Sequence, residues 1–174
     1  MPSEFRVTRS RCISASAAAV FAQVNDFRNW TAWSPWAALD PAMKQTYAGA
    51  AAGRGAVYEW AGNRRVGAGR MTIVESSPPE RIAITLEFFK PFPATNVAEF
   101  TFQRSGSDTL VTWTMSGRKN FMAKVIGLVV DMDRMIGGQF DNGLARMKSI
   151  VEATPVAQHG AYNYLDLLPG RPDA

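Results

Sequence analysis

The 174-residue chain carries 19 Lys+Arg against 15 Asp+Glu, a net charge of +4, with 47% hydrophobic and 20% charged residues. That balance suits one globular domain able to bury a core without staples, and a single cysteine, Cys12, excludes an internal disulfide and fits a reducing, cytoplasmic compartment. The longest charge-free stretch, Cys12 to Asn25, is shorter than the roughly 20 residues that cross a bilayer, so no integral membrane segment is expected. Basic residues never run longer than two (Arg64-Arg65, Arg118-Lys119) and are interleaved with acids, so nucleic acid is not an expected partner. Arg6, Arg9 and Arg11 ahead of Ala15-Ser16-Ala17 imitate a signal peptide, but Glu4 among them and the lack of a continuous apolar core argue against one.

In chain order, Phe5 to Ile13 mixes β-branched and apolar residues with spaced arginines, which predicts a first strand partly in solvent. Ser14 or Ser16 then caps a helix whose Val20, Phe21 and Val24 share one side. Asp26 to Trp33 adds a second short helix, halted by Ser34-Pro35. From Met43 the period changes to alternation: 43–49, 55–61, 65–75, 81–89, 97–104 and 110–117 are expected as six further strands. Their links, including Gly62-Asn63, Ser77-Pro78-Pro79 and Pro91-Phe92-Pro93, are turn chemistry too short for parallel crossovers, so the pairing is antiparallel.

Alternation also assigns faces. Tyr58 and Trp60, then Gly67, Gly69, Met71 and Ile73, then Ile82, Ile84, Leu86 and Phe88, then Ala98, Phe100 and Phe102, and finally Val111, Trp113 and Met115 point to the concave side. Glu59, Arg70, Thr72, Thr85, Glu87, Glu99, Thr101, Thr112 and Thr114 point outward.

A long helix is predicted over 121–153, capped near Asp131. Its Met132, Ile136, Phe140, Gly143, Met147 and Ile150 fall within an arc of roughly 80°, with Arg134, Asp141, Lys148 and Glu152 opposite. Gly137-Gly138 marks either a kink or close approach to the sheet, or room for a ligand beside Gly67 and Gly69. Residues 1–153 therefore form the domain and 154–174 a Pro/Gly-rich tail, whose Tyr162, Tyr164, Leu165, Leu167 and Leu168 can dock on a surface groove or on a second copy in a homodimer.

The pattern Val20-Phe21, Val24, Asp26-Phe27, Trp30, Trp33-Ser34-Pro35-Trp36, then Gly53, Gly55, Trp60, Gly67-x-Gly69, Met135-Ile136-Gly137 and Gly143-Leu144 resembles the START-related superfamily. The closest likeness is to its polyketide cyclase/dehydrase-like (SRPBCC) branch, which shares a helix-grip fold with the birch pollen allergen. The resemblance implies an α+β helix-grip fold, with a seven-stranded antiparallel sheet wrapped around the C-terminal helix and an apolar cavity between them. Members include lipid or sterol carriers, coenzyme-binding proteins, polyketide cyclases and protein partners, so the resemblance does not choose an activity.

The candidate ligand-binding set is aromatic and flexible: Trp33, Trp36, Tyr58, Trp60, Phe88, Phe100 and Trp113, with Met71, Met115 and Met132, and with Ile84, Ile136 and Phe140. Each is equally at home in a packed core. Asp133 at the edge of the helical stripe and Tyr58 are the candidate polar contacts, with Asn63 in a turn and Arg70 if the register slips. The one histidine, His159, lies in the tail, which leaves no Ser-His-Asp or Cys-His system without it and no zinc site. No phosphate-cradling loop opens a helix, so no cofactor is expected. The expected function is therefore to bind a hydrophobic small molecule (lipid, polyketide or isoprenoid-like) as carrier or sensor. The alternatives are a cyclase/dehydratase that uses the same pocket by shaping its substrate, and a protein-interaction module.

Overall fold

The structure, a computed structural model, describes residues 4–118 and 132–153, with the side chain of Met132 outside the described set. Strand β1 (Glu4–Ile13) leads into helix α1 (Ala17–Asn25) and a 3₁₀ helix (Phe27–Ala32). Six strands follow, β2 (Lys44–Gly49), β3 (Ala56–Ala61), β4 (Ala68–Ser77), β5 (Arg81–Lys90), β6 (Ala94–Ser105) and β7 (Asp108–Arg118), and then helix α2 (Met132–Ala153). All pairings are antiparallel, in the order β1-β7-β6-β5-β4-β3-β2. The long excursion through α1 lets β1 return beside β7 rather than β2. The expected helix start at Phe121, the cap at Asp131, His159 and the tail from Thr154 lie outside the described residues.

Local chemistry sets the early helices. Ser16, not Ser14, is the cap: its hydroxyl accepts from Ala19 N–H at 3.2 Å. Asp26 ends α1 and caps the 3₁₀ helix by accepting from Arg28 N–H at 2.9 Å. The indoles of Trp30 and Trp33 donate to the carbonyls of Val24 (2.9 Å) and Gln23 (3.0 Å). They therefore satisfy the last turn of α1, whose carbonyls lack helical partners, rather than groups at an opening.

Two strand starts differ from expectation by three residues. The strand predicted from Arg65 begins at Ala68, because the Asn63 side chain accepts from Arg65 N–H (2.9 Å) and Val66 N–H (3.3 Å) and holds 63–67 as a turn. Gly67 is consequently not a concave-face strand residue: it sits at φ +62°, where a Cβ would run into the Lys90 carbonyl. The sixth expected strand begins earlier, at Ala94 rather than Val97.

The helix stripe is rotated from the predicted one. Phe140, Gly143, Leu144, Met147 and Val151 are buried, while Ile136 and Ile150 are only partly so. Two polar clamps account for this by tying α2 to the first part of the chain. Arg9 of β1 donates to both carboxylate oxygens of Asp133 (3.2 and 2.9 Å) and to its carbonyl (3.0 Å), and reaches Asp141 at 3.4 Å. Ser14 N–H donates to Glu152 at 2.8 Å. Gly137 is what lets Arg9 approach, since a Cβ there would collide with the guanidinium. Of the two readings of this glycine, close approach to the sheet is the one observed.

The α1 end of the concave face is solid. Phe21, Val24, Phe27, Trp30 and Trp33 from the early helices and Leu144, Met147 and Val151 from α2 close over Ile82, Ile84, Phe100, Phe102 and Val111. The convex face carries ion-pair rows: Arg70 bridges Glu59 (2.7 Å) and Glu87 (3.7 Å), and Arg81 bridges Glu75 and Glu99 (3.1 Å to Glu99). Each row crosses three strands on the wet side, where such pairs contribute only a few tenths of a kcal/mol to about 1 kcal/mol.

Candidate functional site

The described residues leave the opposite end of the same concave face unfilled. A cavity of about 360 Å³ lies between the sheet, the 3₁₀ helix and the N-terminal half of α2, within the roughly 300–1,000 Å³ of small-molecule pockets. Its floor is built from inward positions of β3 to β7: Tyr58 and Trp60, Met71, Leu86 and Phe88, Asn96 and Ala98, and Trp113 and Met115. Phe5 from β1 closes one side and Ile136 and Phe140 of α2 form the roof. A wall of aromatic rings divides cavity from solid core. Trp113 stacks on Phe140 with centroids 3.9 Å apart, Trp36 meets both edge-on at 6.0 and 6.1 Å, and Trp30 stands against Trp33 at 4.5 Å.

Gly69 makes room for the floor, since a Cβ there would strike the Trp60 ring. Trp60 in turn donates its indole N–H to Val66 O at 2.8 Å and meets Phe88 edge-on, so its face is presented to the cavity with no polar group left over. Tyr58 stacks beside it at 6.1 Å and donates to Gln45 Oε1 at 3.2 Å. Burial, helped by the neighbouring Tyr47, pushes the Tyr58 phenol up to about 12. At neutral pH it is a hydrogen-bond donor and not a base.

The structure thus gathers nine of the candidate residues around one space: Trp36, Tyr58, Trp60, Met71, Phe88, Trp113, Met115, Ile136 and Phe140. It sets Trp33, Ile84 and Phe100 apart. All three are fully buried on the solid side of the aromatic wall, because the two early helices cover that half of the sheet. Asp133 is also elsewhere: its side chain is 58% exposed and held by Arg9, whose guanidinium keeps the carboxyl below the usual carboxylate range. Met132 falls outside the described side chains. Of the remaining polar candidates, Arg70 points outward into its ion pairs. Asn63 is occupied in the turn, with its N–H donating to Asp40 and its amide to Leu39 O.

The sequence reading missed several polar wall residues, among them Thr31, Ser34, Gln45 and Asn96, of which Asn96 is the most buried. Asn96 is 8% exposed, lines the cavity, and among the described residues its amide Nδ2 meets only the Met115 thioether at 3.8 Å. Extending the inward series Ala98, Phe100, Phe102 two residues back would have found it, but the strand was begun at Val97. Arg64, Arg65, Lys90 and Arg118 reach the cavity from strand ends and turns, and the described lining contains no carboxylate, histidine or cysteine.

A seven-stranded antiparallel sheet holding a C-terminal helix, with paired short helices after β1, defines the START-related helix-grip class. Residues 4–152 match the family model described as polyketide cyclase / dehydrase and lipid transport, and the chain belongs to that family. No curated protein matches the sequence. Among solved structures, protein CV1439 from Chromobacterium violaceum is similar at TM-score 0.62 and 16% identity, covering 88% of this chain and 100% of that one. The Aha1 dimer from Colwellia psychrerythraea is similar at TM-score 0.60 and 14% identity, with 86% and 97% covered. BexL, a di-domain ARO/CYC protein from the BE-7585A biosynthetic pathway, gives TM-score 0.64 at 18% identity; 88% of this chain matches 52% of that one. At these identities the neighbours share the fold alone.

Proposed function

We propose that the chain binds one hydrophobic small molecule between its sheet and its C-terminal helix, as a carrier or sensor. The observation that carries this reading is the unfilled apolar end of the concave face, where the same sheet that is solidly packed at its α1 end leaves about 360 Å³ open. A guest that buries ~250 Å² of apolar surface there gains about 6 kcal/mol before the costs of ordering it. The family description, which joins lipid transport to cyclase and dehydrase activity, is consistent with such a guest.

A cyclase reading uses the same pocket. In its favour stand Tyr58 and Asn96, two neutral donors able to orient carbonyl oxygens along a reactive chain. Against it stands a described lining without a carboxylate, histidine or cysteine to serve as general acid or base. Native mass spectrometry of gently purified protein tests the carrier reading. A co-purifying apolar compound at one per chain supports it, and a chain that neither co-purifies with nor takes up apolar probes contradicts it. Turnover of a linear poly-carbonyl substrate, lost in Tyr58→Phe with folding retained, would move the assignment to the enzyme.

A further inference from the structure

The chemical character of the guest can be taken a step further, resting on the binding reading above. Four cations belong to the cavity, and they come from separate elements that meet at one end of the sheet. Arg64 and Arg65 lie in the β3–β4 turn, Lys90 ends β5, and Arg118 ends β7. The β3–β4 turn and the end of β5 are in contact: Lys90 is paired with Ala68 in the β4–β5 ladder, and the Lys90 carbonyl abuts Gly67. Asn96 lies at this same end, two residues into β6, opposite Gly117; a side chain at position 117 would strike its amide.

Cations elsewhere in the molecule are of both kinds: Arg6, Arg11, Lys44, Arg54, Arg104 and Arg146 form no ion pair among the described residues. Arg9, Arg28, Arg70 and Arg81 each hold at least one carboxylate. Among the described residues, none of the four cavity cations forms an ion pair, and the lining offers them no acid. Asn96 adds a second, independent sign: a nearly buried amide whose one side-chain partner among the described residues is a thioether, a weak acceptor, has hydrogen-bonding capacity to give to a guest.

We infer that the guest is an amphiphilic anion: an apolar chain lying against Trp60, Met71 and Met115, with a terminal carboxylate or phosphate held between Asn96 and the cations Arg64, Arg65 and Lys90. An aliphatic hydrocarbon, a neutral sterol or an amine leaves those groups without a use. The apolar chain supplies affinity and the head group supplies orientation, head at the lip and tail towards the aromatic wall.

Four probes that share one dodecyl chain separate the possibilities: dodecanoic acid, dodecyl phosphate, dodecanol and dodecylamine. Each is titrated below its micelle-forming concentration at neutral pH into the full chain, by isothermal calorimetry. The acid or the phosphate is expected to bind at least about tenfold more tightly than the alcohol, with the amine weakest, and raised salt should shrink the difference. Whichever anion leads names the head group. In Arg64→Gln/Arg65→Gln/Lys90→Gln the preference should vanish while the alcohol binds as before; single Lys90→Gln serves if the triple variant does not fold. Equal or tighter binding of the alcohol by the native chain, or a preference that survives the substitutions, overturns the inference and leaves the binding reading standing. Failure of all four probes to bind contradicts both.

Discussion

Asn96 and Tyr58 are the two neutral polar side chains on the cavity floor, and they are held differently. Tyr58 has an oxygen partner at 3.2 Å, whereas Asn96 Nδ2 has a sulfur at 3.8 Å. A buried amide so poorly matched adds little to folding, and an apolar residue of similar shape removes the desolvation penalty altogether. Asn96→Leu is therefore expected to leave stability unchanged or raise it by up to about 1 kcal/mol in urea unfolding, while weakening binding of any guest with a polar head. Tyr58 predicts a pH effect instead. Its folded phenol titrates near 12 against 10 for the unfolded chain, so the unfolded state sheds its proton first. The fold loses stability as pH rises from 10 towards 12, and nothing from this group below 10. Tyr58→Phe should flatten that alkaline decline in melting temperature; an unchanged slope would mean the phenol is not desolvated. Inward alternation made Tyr58, Trp60, Met71, Phe88, Trp113 and Met115 legible in the sequence. It made Ile84 and Phe100 look the same, because period two reports the side of a sheet and not what covers that side.

The elements show where local and long-range information part. The sequential antiparallel pairing of β2 to β7 and the amphipathic terminal helix follow from turn residues and periodicity, whereas the place of β1 beside β7 does not. The rotation of α2 does not, because Arg9, Asp133, Asp141, Glu152 and Ser14 set it across more than 120 residues of sequence. Gly137 gives this a test with a sign. Inside a helix, Gly→Ala is worth about 1 kcal/mol in favour of Ala, but here the new methyl would push against the Arg9 guanidinium. Gly137→Ala alone should be neutral or destabilising, whereas in an Arg9→Ala background the same change should stabilise by about 0.5–1 kcal/mol. Chemical denaturation of the four chains of this cycle measures it. A stabilising effect in both backgrounds would show that the guanidinium does not occupy that space. The carboxyl of Asp133, held down by Arg9, keeps its contribution to the clamp above its unfolded range and loses it as pH falls through the lowered folded value.

At the scale of the molecule, one sheet serves two purposes. Its α1 end is sealed by two short helices that satisfy their own carbonyls with tryptophan indoles, and its other end is left open with cations at the lip. The helix-grip class was legible because its turns, glycines and aromatic spacing are spread over the whole chain. The division of the concave face was not, since it depends on where Trp30 and Trp33 come to rest. Ala98 lies on the open floor between Ile84 and Met115 in the ladder and is 5% exposed, so a larger side chain there has a vacancy to occupy. Calorimetric titration of dodecanol or dodecanoic acid into the native chain and into Ala98→Phe tests the cavity most directly. One probe per native chain, with binding abolished in a variant that loses no more than about 1–2 kcal/mol of stability, is the predicted result. Undiminished binding by the variant, or none by the native chain, would contradict it.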